Sequence, residues 1–316
     1  MHPLLLTVYY SLRPLLPRPV QIALRRNMVR RKLKVNRGVW PICPGSDQAP
    51  ADWTGWPEGA RFAVVLTHDV ETAVGVQRVH GLMQREKVLG FISSFNFVPQ
   101  RYDLPEGVRN GLTENCFEVG LHGLKHDGKL FLSRRVFRRS LPKINRYLEA
   151  WGAKGFYAPS MLRKIEWIAS LAIEYDSSTF DTDPFEPQPD GVGTVFPYLI
   201  PKSRSSGETA IVELPYTMPQ DLTLFVLMQE RDIDIWKEKL RWLAERGGMV
   251  LLKTHPDYMN LDNSKPRIDE YPGELYMRFL EHLRSRYAGQ YWHVLPRDMA
   301  RFWRQRFSSS AAEARK

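Results

Sequence analysis

Cysteine is scarce: the 316 residues contain two, Cys43 and Cys116. That is too few for a disulfide framework or a four-cysteine metal site, and it suits a reducing compartment. Acidic residues are missing before Asp47, where nine basic ones stand: Arg13, Arg18, Arg25, Arg26, Arg30, Arg31, Lys32, Lys34 and Arg37. Of the 45 basic residues, 36 remain beyond that arm against 35 acidic ones, so the net charge of +10 belongs to the arm. Long apolar runs are missing too. The stretch 4–12 is cut off by Arg13, Pro14 and Pro17 and falls short of the roughly 20 residues that span a bilayer. It has no basic residue before it and no small-residue cleavage site after it, so no signal peptide is expected. The expected location is the cytoplasm, or the inner face of the membrane if the arm binds there. No glycine-rich loop follows the first predicted strand, which removes the usual nucleotide-binding reading. A nucleophile elbow and internal repeats are also absent. No basic patch continues into the domain and no nucleic-acid reader motif is visible, so nucleic acid is not an expected partner.

What is present is an ordinary globular composition, 43% apolar and 25% charged, sufficient for a real core. Residues 1–37 form a basic, amphipathic arm, and 38–60 a linker rich in proline, glycine and tryptophan. Residues 61–307 form the domain, and 308–316 read as a disordered tail. Within the domain, strands are predicted at 62–66, 91–98, 117–121, 155–158, 175–178, 211–214, 222–227, 249–254 and 292–295. Helices at 75–89, 133–151, 165–173, 232–246, 271–287 and 296–307 alternate with them, and 181–210 is a long loop with a hairpin. Such alternation argues a parallel α/β architecture, barrel or open sheet.

Polar clusters stand where predicted strands end. The run Phe62, Ala63, Val64, Val65, Leu66 leads into Thr67, His68, Asp69, Val70 and Glu71. Side chains alternate along a strand, so Asp69 and Glu71 leave it on one side, at the end where α/β folds collect ligands. An acid there also serves as a helix cap, and this stretch alone does not separate the two readings. His122 and His126, four apart after the third strand, share one face of a helical turn and reach one ion; a coincidence of surface residues is the alternative. Gly120, Gly123 and Gly128 let the backbone come close there. Two histidines with one carboxylate make an open catalytic coordination set. Lys253 and His255 share a face at the exit of the 249–254 strand, where a lone histidine is otherwise structural. Two further clusters, 155–160 and 175–183, contain Tyr157, Pro159, Asp176 and Asp181.

Taken in order, these clusters resemble the polysaccharide deacetylase family, also called NodB-homology or carbohydrate esterase family 4. The resemblance spans residues 61 to about 300 and rests on five short motifs. It implies a distorted (β/α) barrel holding a divalent metal, most often Zn2+, with Co2+, Ni2+, Fe2+ or Mn2+ as alternatives. It implies Asp69 as base, His255 as acid, and His122 and His126 as ligands. Val70 stands where the family usually has the carboxylate ligand, so the third ligand falls to Glu71, in the Asp-x-Asp spacing of one branch. Tyr157 replaces the arginine that usually orients the base, and Lys253 is expected to supply that charge instead. Pro159 belongs to the third motif, and Asp176 or Asp181 is expected to hold His255 protonated. The family's usual tryptophan is absent, leaving Phe180, Phe185 or Tyr198 to build the substrate wall. His68 is expected to pack beneath the site.

The implied reaction is metal-assisted removal of an N-acetyl group from a sugar of a polysaccharide or lipid-linked glycan precursor. Hydrolysis of a small non-sugar amide on the same fold, or a catalytically impaired glycan-binding relative, remain alternatives. For the arm, with Leu24 and Met28 among its arginines, two readings stand side by side. It lies on an anionic membrane surface, or it packs across its own domain.

Overall fold

A computed structural model of the chain describes residues 16–202, 210–262 and 264–313. The apolar opening run becomes β1 (Phe62–Val70), nine residues buried throughout. A strand covered on both faces belongs to a parallel sheet with neighbours on either side. Next along the chain come β2 (Ser94–Phe97), β3 (Glu118–Leu121), β4 (Gly155–Phe156), β5 (Tyr175–Asp176), β6 (Tyr198–Pro201), β7 (Ala210–Glu213) and β8 (Met249–Thr254). In space the order is Tyr291–His293, β1, β2, β3, β4, β5, β7, β6, and β8 lies on the other side of β1. Only the β6–β7 hairpin is antiparallel among these described pairs. The sheet curls until the segment after β7 meets β8: Thr217 N and Met218 N donate to Leu251 O, and Leu251 N donates to Thr217 Oγ1 at 3.0 Å. Side-chain and loop contacts at that seam replace a strand ladder. The sheet is therefore a curled, distorted barrel whose strand ladder stays open at this seam.

Strand register sets Asp69 beside Asn96, Asn96 beside Gly120, and Thr67 beside Lys253. Helices cover the outside, their ends set by local chemistry. Ala73–Leu89 starts at Thr72, whose hydroxyl accepts from Val74 N, and stops at left-handed Gly90; Arg134–Trp151 is capped by Ser133 and closed by Gly152, with Pro142 inside it.

Four predicted elements differ. The run 222–227, expected as a strand, is π-helix over Leu222–Met228, because a fully buried apolar run carries no period that separates the two. The 165–173 helix shrinks to Ile165–Ile168. At 271–287 the helix begins at Glu274, and Tyr271–Pro272 pairs instead with Met259–Asn260. The closing helix runs Pro296–Glu313, into the segment expected to be a disordered tail; residues 314–316 of that segment lie outside the described residues.

Residues 38–60 pack against the body: Trp53 and Trp56 meet at 4.7 Å, Trp53 lies on Trp303, and Trp56 Nε1 donates to Gly247 O at 2.8 Å. The arm contributes a helix, Arg18–Asn36. It buries Ile22 and Val29, pairs Arg18 with Asp269 at 2.7 Å, and donates from Arg26 Nε to Val226 O at 3.0 Å. Burying two such side chains contributes on the order of 1.5–3 kcal/mol each. The apolar stretch 4–12 of the arm lies outside the described residues. No helix among the described residues is long and apolar enough to cross a membrane.

Candidate active site

The carboxyl ends of β1, β3 and β8 deliver Asp69, Glu71, His122, Lys253 and His255 to one cavity of about 490 Å3, which His126 also lines. Phe185, Glu186, Gln220 and Tyr258 form further wall. One wall comes from the arm, through Arg25, Met28, Lys32 and Asn36. That contribution had no signal in the domain's own sequence.

Glu71, His122 and His126 converge, each offering a ligand atom within 4.8 Å of the others. The histidine pair does not lie on a helical turn, as the i, i+4 spacing suggested. His122 follows β3 directly and His126 sits in a loop with φ 54°. Gly123 makes that loop: its φ is 63°, and a Cβ there would stand 2.2 Å from Pro159 Cγ. Pro159 thus seats the loop between the two histidines. His122 Nδ1 lies 3.1 Å from the Tyr157 carbonyl. Donation to that oxygen fixes the tautomer and turns the lone pair of Nε2 inward. His126 Nε2 lies 3.0 Å from Glu71 Oε1, and Glu71 Oε2 accepts from Tyr258 OH at 2.9 Å.

His122 Nε2 and His126 Nδ1 are buried without a hydrogen-bond partner, and His126 Nε2 has only the Glu71 carboxylate beside it. Buried polar atoms are rarely left so. A carboxylate with unsatisfied imidazole nitrogens around one point is a donor set that fits a divalent cation such as zinc. Burial holds His122 down to about 4, so at neutral pH it is the neutral imidazole that a metal requires. Burial raises Glu71, but the charge and hydrogen bond of His126 outweigh it and keep the carboxyl well below its usual range.

Asp69 is placed beside this set. Asn96 Nδ2 donates to its Oδ1 at 2.8 Å, and Ser94 Oγ donates to Asn96 Oδ1 at 2.7 Å. Gly120 leaves room for that amide, since a Cβ would stand 2.2 Å from Asn96 Oδ1. Lys253 Nζ is 3.6 Å from Asp69 Oδ2 and donates to Ser177 O at 3.1 Å. Burial raises the Asp69 carboxyl, yet the charges of His122, Lys253 and His255 and the Asn96 bond bring it down to about 2.

His255 is held by Asp221, not by Asp176 or Asp181. Its Nδ1 donates to Asp221 Oδ1 at 2.7 Å, its backbone N donates to Oδ2 at 2.8 Å, and Tyr271 OH donates to Oδ2 at 3.0 Å. Burial lowers the imidazole, but the Asp221 carboxylate outweighs it and lifts His255 to about 9. It is an imidazolium at neutral pH. Asp181 instead pairs with Lys239 at 2.5 Å, and burial raises it to about 6. Asp176 accepts from Ser178 Oγ at 2.7 Å, and burial and the neighbouring Glu213 push it up. Ser178 Oγ in turn accepts from Ala158 N, so Asp176 braces the Pro159 turn.

Tyr157 does not reach the base as an arginine would; its hydroxyl meets Tyr175 OH at 3.0 Å, beneath the site. Of the aromatic wall expected from Phe180, Phe185 or Tyr198, Phe185 lines the cavity. Phe180 is fully buried under the Arg163 guanidinium, and Tyr198 belongs to β6. His68 is buried between Thr254 Oγ1 at 2.7 Å and Glu86 Oε1 at 2.8 Å. Asp221 and Asn96 escaped sequence reasoning. An acid before an apolar run, as Asp221 is, was the available signal, and it reads as a cap.

No family model matches the chain, and no curated protein matches it. Solved structures do. A candidate polysaccharide deacetylase from Mycobacterium smegmatis matches with TM-score 0.58 at 17% identity, over 81% of this chain and 95% of that one. One from Pseudomonas aeruginosa PAO1 matches with TM-score 0.57 at 17% identity, over 79% and 93%. The Puue allantoinase matches with TM-score 0.58 at 14% identity, over 81% and 95%. At these identities the likeness concerns the fold, and the protein has the NodB-homology fold of the polysaccharide deacetylases, a distorted (β/α) barrel.

Proposed function

We propose that the protein is a metal-dependent hydrolase that removes an N-acetyl group from a sugar of a polysaccharide or lipid-linked glycan. One observation carries this reading: ring nitrogens of His122 and His126 converge with Glu71, His122 Nε2 being buried without a partner, in the cavity that Asp69 and His255 also line. Glu71, His122 and His126 are the residues that would hold the ion. When bound, zinc or a similar ion supplies Lewis acidity at the scissile carbonyl.

The chain's own groups divide the proton work. Asp69, kept ionised and aimed by Asn96 and Lys253, takes a proton from the attacking water. His255 gives its proton to the departing nitrogen, and Asp221 holds it charged and oriented until then. Two groups with pKa values of about 2 and about 9 keep the base deprotonated and the acid protonated across the neutral range.

The same fold in an allantoinase makes small non-sugar amides the competing substrate class. Acetate release from N-acetylglucosamine oligomers, measured beside release from simple acyl amides, decides between them. The proposal expects turnover of the oligomers; turnover of the simple amides alone overturns the sugar assignment. Absence of both, with retained oligomer binding, would make the protein a glycan-binding relative.

A further inference from the structure

We propose that the outer face of the amino-terminal helix seats on an anionic phospholipid surface, placing the cavity mouth at the bilayer. The docking rests on the geometry of this helix alone; delivery of a lipid-linked substrate across it rests on the deacetylase reading.

The helix Arg18–Asn36 has three distinct faces. Ile22 and Val29 are buried against the domain. Arg25, Met28, Lys32 and Asn36 line the cavity. Val20, Leu24, Met28 and Val35 point outward, 43%, 55%, 37% and 81% exposed. At 3.6 residues per turn these four fall within an arc of about 80°. An apolar stripe on water has no reason to persist on a helix already held by its opposite face. Of the eight large apolar residues exposed in the described chain, these four are on this one helix.

Charge identifies the occupant. Arg31 lies within the stripe, Lys34 and Arg30 flank it on one side, and Arg25 and Lys32 on the other, with no acidic residue anywhere in the helix. Arg31 and Lys34 make no ion pair among the described residues. An apolar stripe edged by cations is what lies in the headgroup region of an anionic bilayer. A soluble anionic polymer would use the cations and leave the stripe idle. Met28 belongs to both the outer stripe and the cavity wall, so the step from bilayer to catalytic pocket is one side chain wide.

The test is flotation of the full-length protein with phosphatidylglycerol–phosphatidylethanolamine vesicles and with phosphatidylcholine vesicles. The wild type is expected to float with the anionic vesicles and to be released by salt. Leu24→Ser with Val35→Ser is expected to lower partitioning at least about tenfold, as is Arg31→Glu with Lys34→Glu. Both pairs are exposed and outside the cavity, so thermal melting and acetate release from soluble oligomers should match the wild type. Unchanged flotation of the Leu24→Ser, Val35→Ser protein, or no flotation of the wild type, overturns the proposal. Loss in the charge pair alone also overturns it and points to an anionic polymer. Because flotation needs no turnover, a protein that floats but releases no acetate retires the deacetylase reading and not the docking.

Discussion

Replacing Asp221 by asparagine is the sharpest perturbation of the proton inventory. The carboxylate accepts from His255 twice, through Nδ1 and through the backbone. Its charge is what lifts the buried imidazole from an ordinary 6.5 to about 9. Asparagine keeps the shape and an acceptor but removes the charge, leaving burial opposed only by the charges of Glu71 and Asp69. His255 should then titrate near 6.5, a change worth about 3 kcal/mol. At pH 8 the protonated fraction falls from about nine-tenths to about 3%, roughly thirtyfold. The sign for stability comes from the same values. A folded-state pKa above the unfolded one contributes stability that is complete below about 6.5 and is lost as pH rises through about 9. The variant should therefore be destabilised most at acidic to neutral pH, with a further part from the unmatched Tyr271 hydroxyl bond. The assay is an NMR titration of the His255 ring in metal-stripped protein, beside the pH dependence of kcat/KM. An unmoved titration, or an alkaline limb that stays near 9, would refute the pairing as the source of the acid.

Single contacts set three further outcomes. Gly123→Ala puts a Cβ against Pro159 at a positive φ; it should cost about 2 kcal/mol or more in urea unfolding and weaken metal affinity by displacing the loop between the ligands. Glu118 is buried and raised to about 7, so its stabilising contribution is present below 4.5 and lost as pH rises through about 7. Glu118→Gln should flatten the pH dependence of stability in that window by about 3 kcal/mol, read by melting curves from pH 4 to 8. Asp69→Asn should lower kcat by a factor of about 100 to 10,000 while leaving bound metal in place, and full activity in that variant would remove Asp69 as the base.

Asp69, Glu71, His122 and His255 were legible in the sequence because each stands at a strand end, with His126 in the loop after β3, and parallel strands send their carboxyl ends to one place. The partners of those residues were not. Asn96 meets Asp69 through strand register, and Asp221 meets His255 across 34 residues; neither relation has a sequence period. The His122–His126 loop shows the limit of spacing arguments, since a separation of four fits a helical turn as well as a loop bent by Gly123. The run 222–228 shows the limit of hydropathy, because uniform burial erases the difference between strand and π-helix. The arm's place in the cavity wall, through Arg25 and Lys32, is a tertiary fact with no local signal.

The central claim is that Glu71, His122 and His126 hold a catalytic divalent ion, and metal content is its most direct test. Purified protein, analysed by inductively coupled plasma mass spectrometry, should carry one equivalent of zinc or a similar ion per chain. The His122→Ala, His126→Ala double variant, folded by circular dichroism, should carry none and release no acetate. A wild type that takes up no ion, or a double variant that retains its ion in full, would contradict the account.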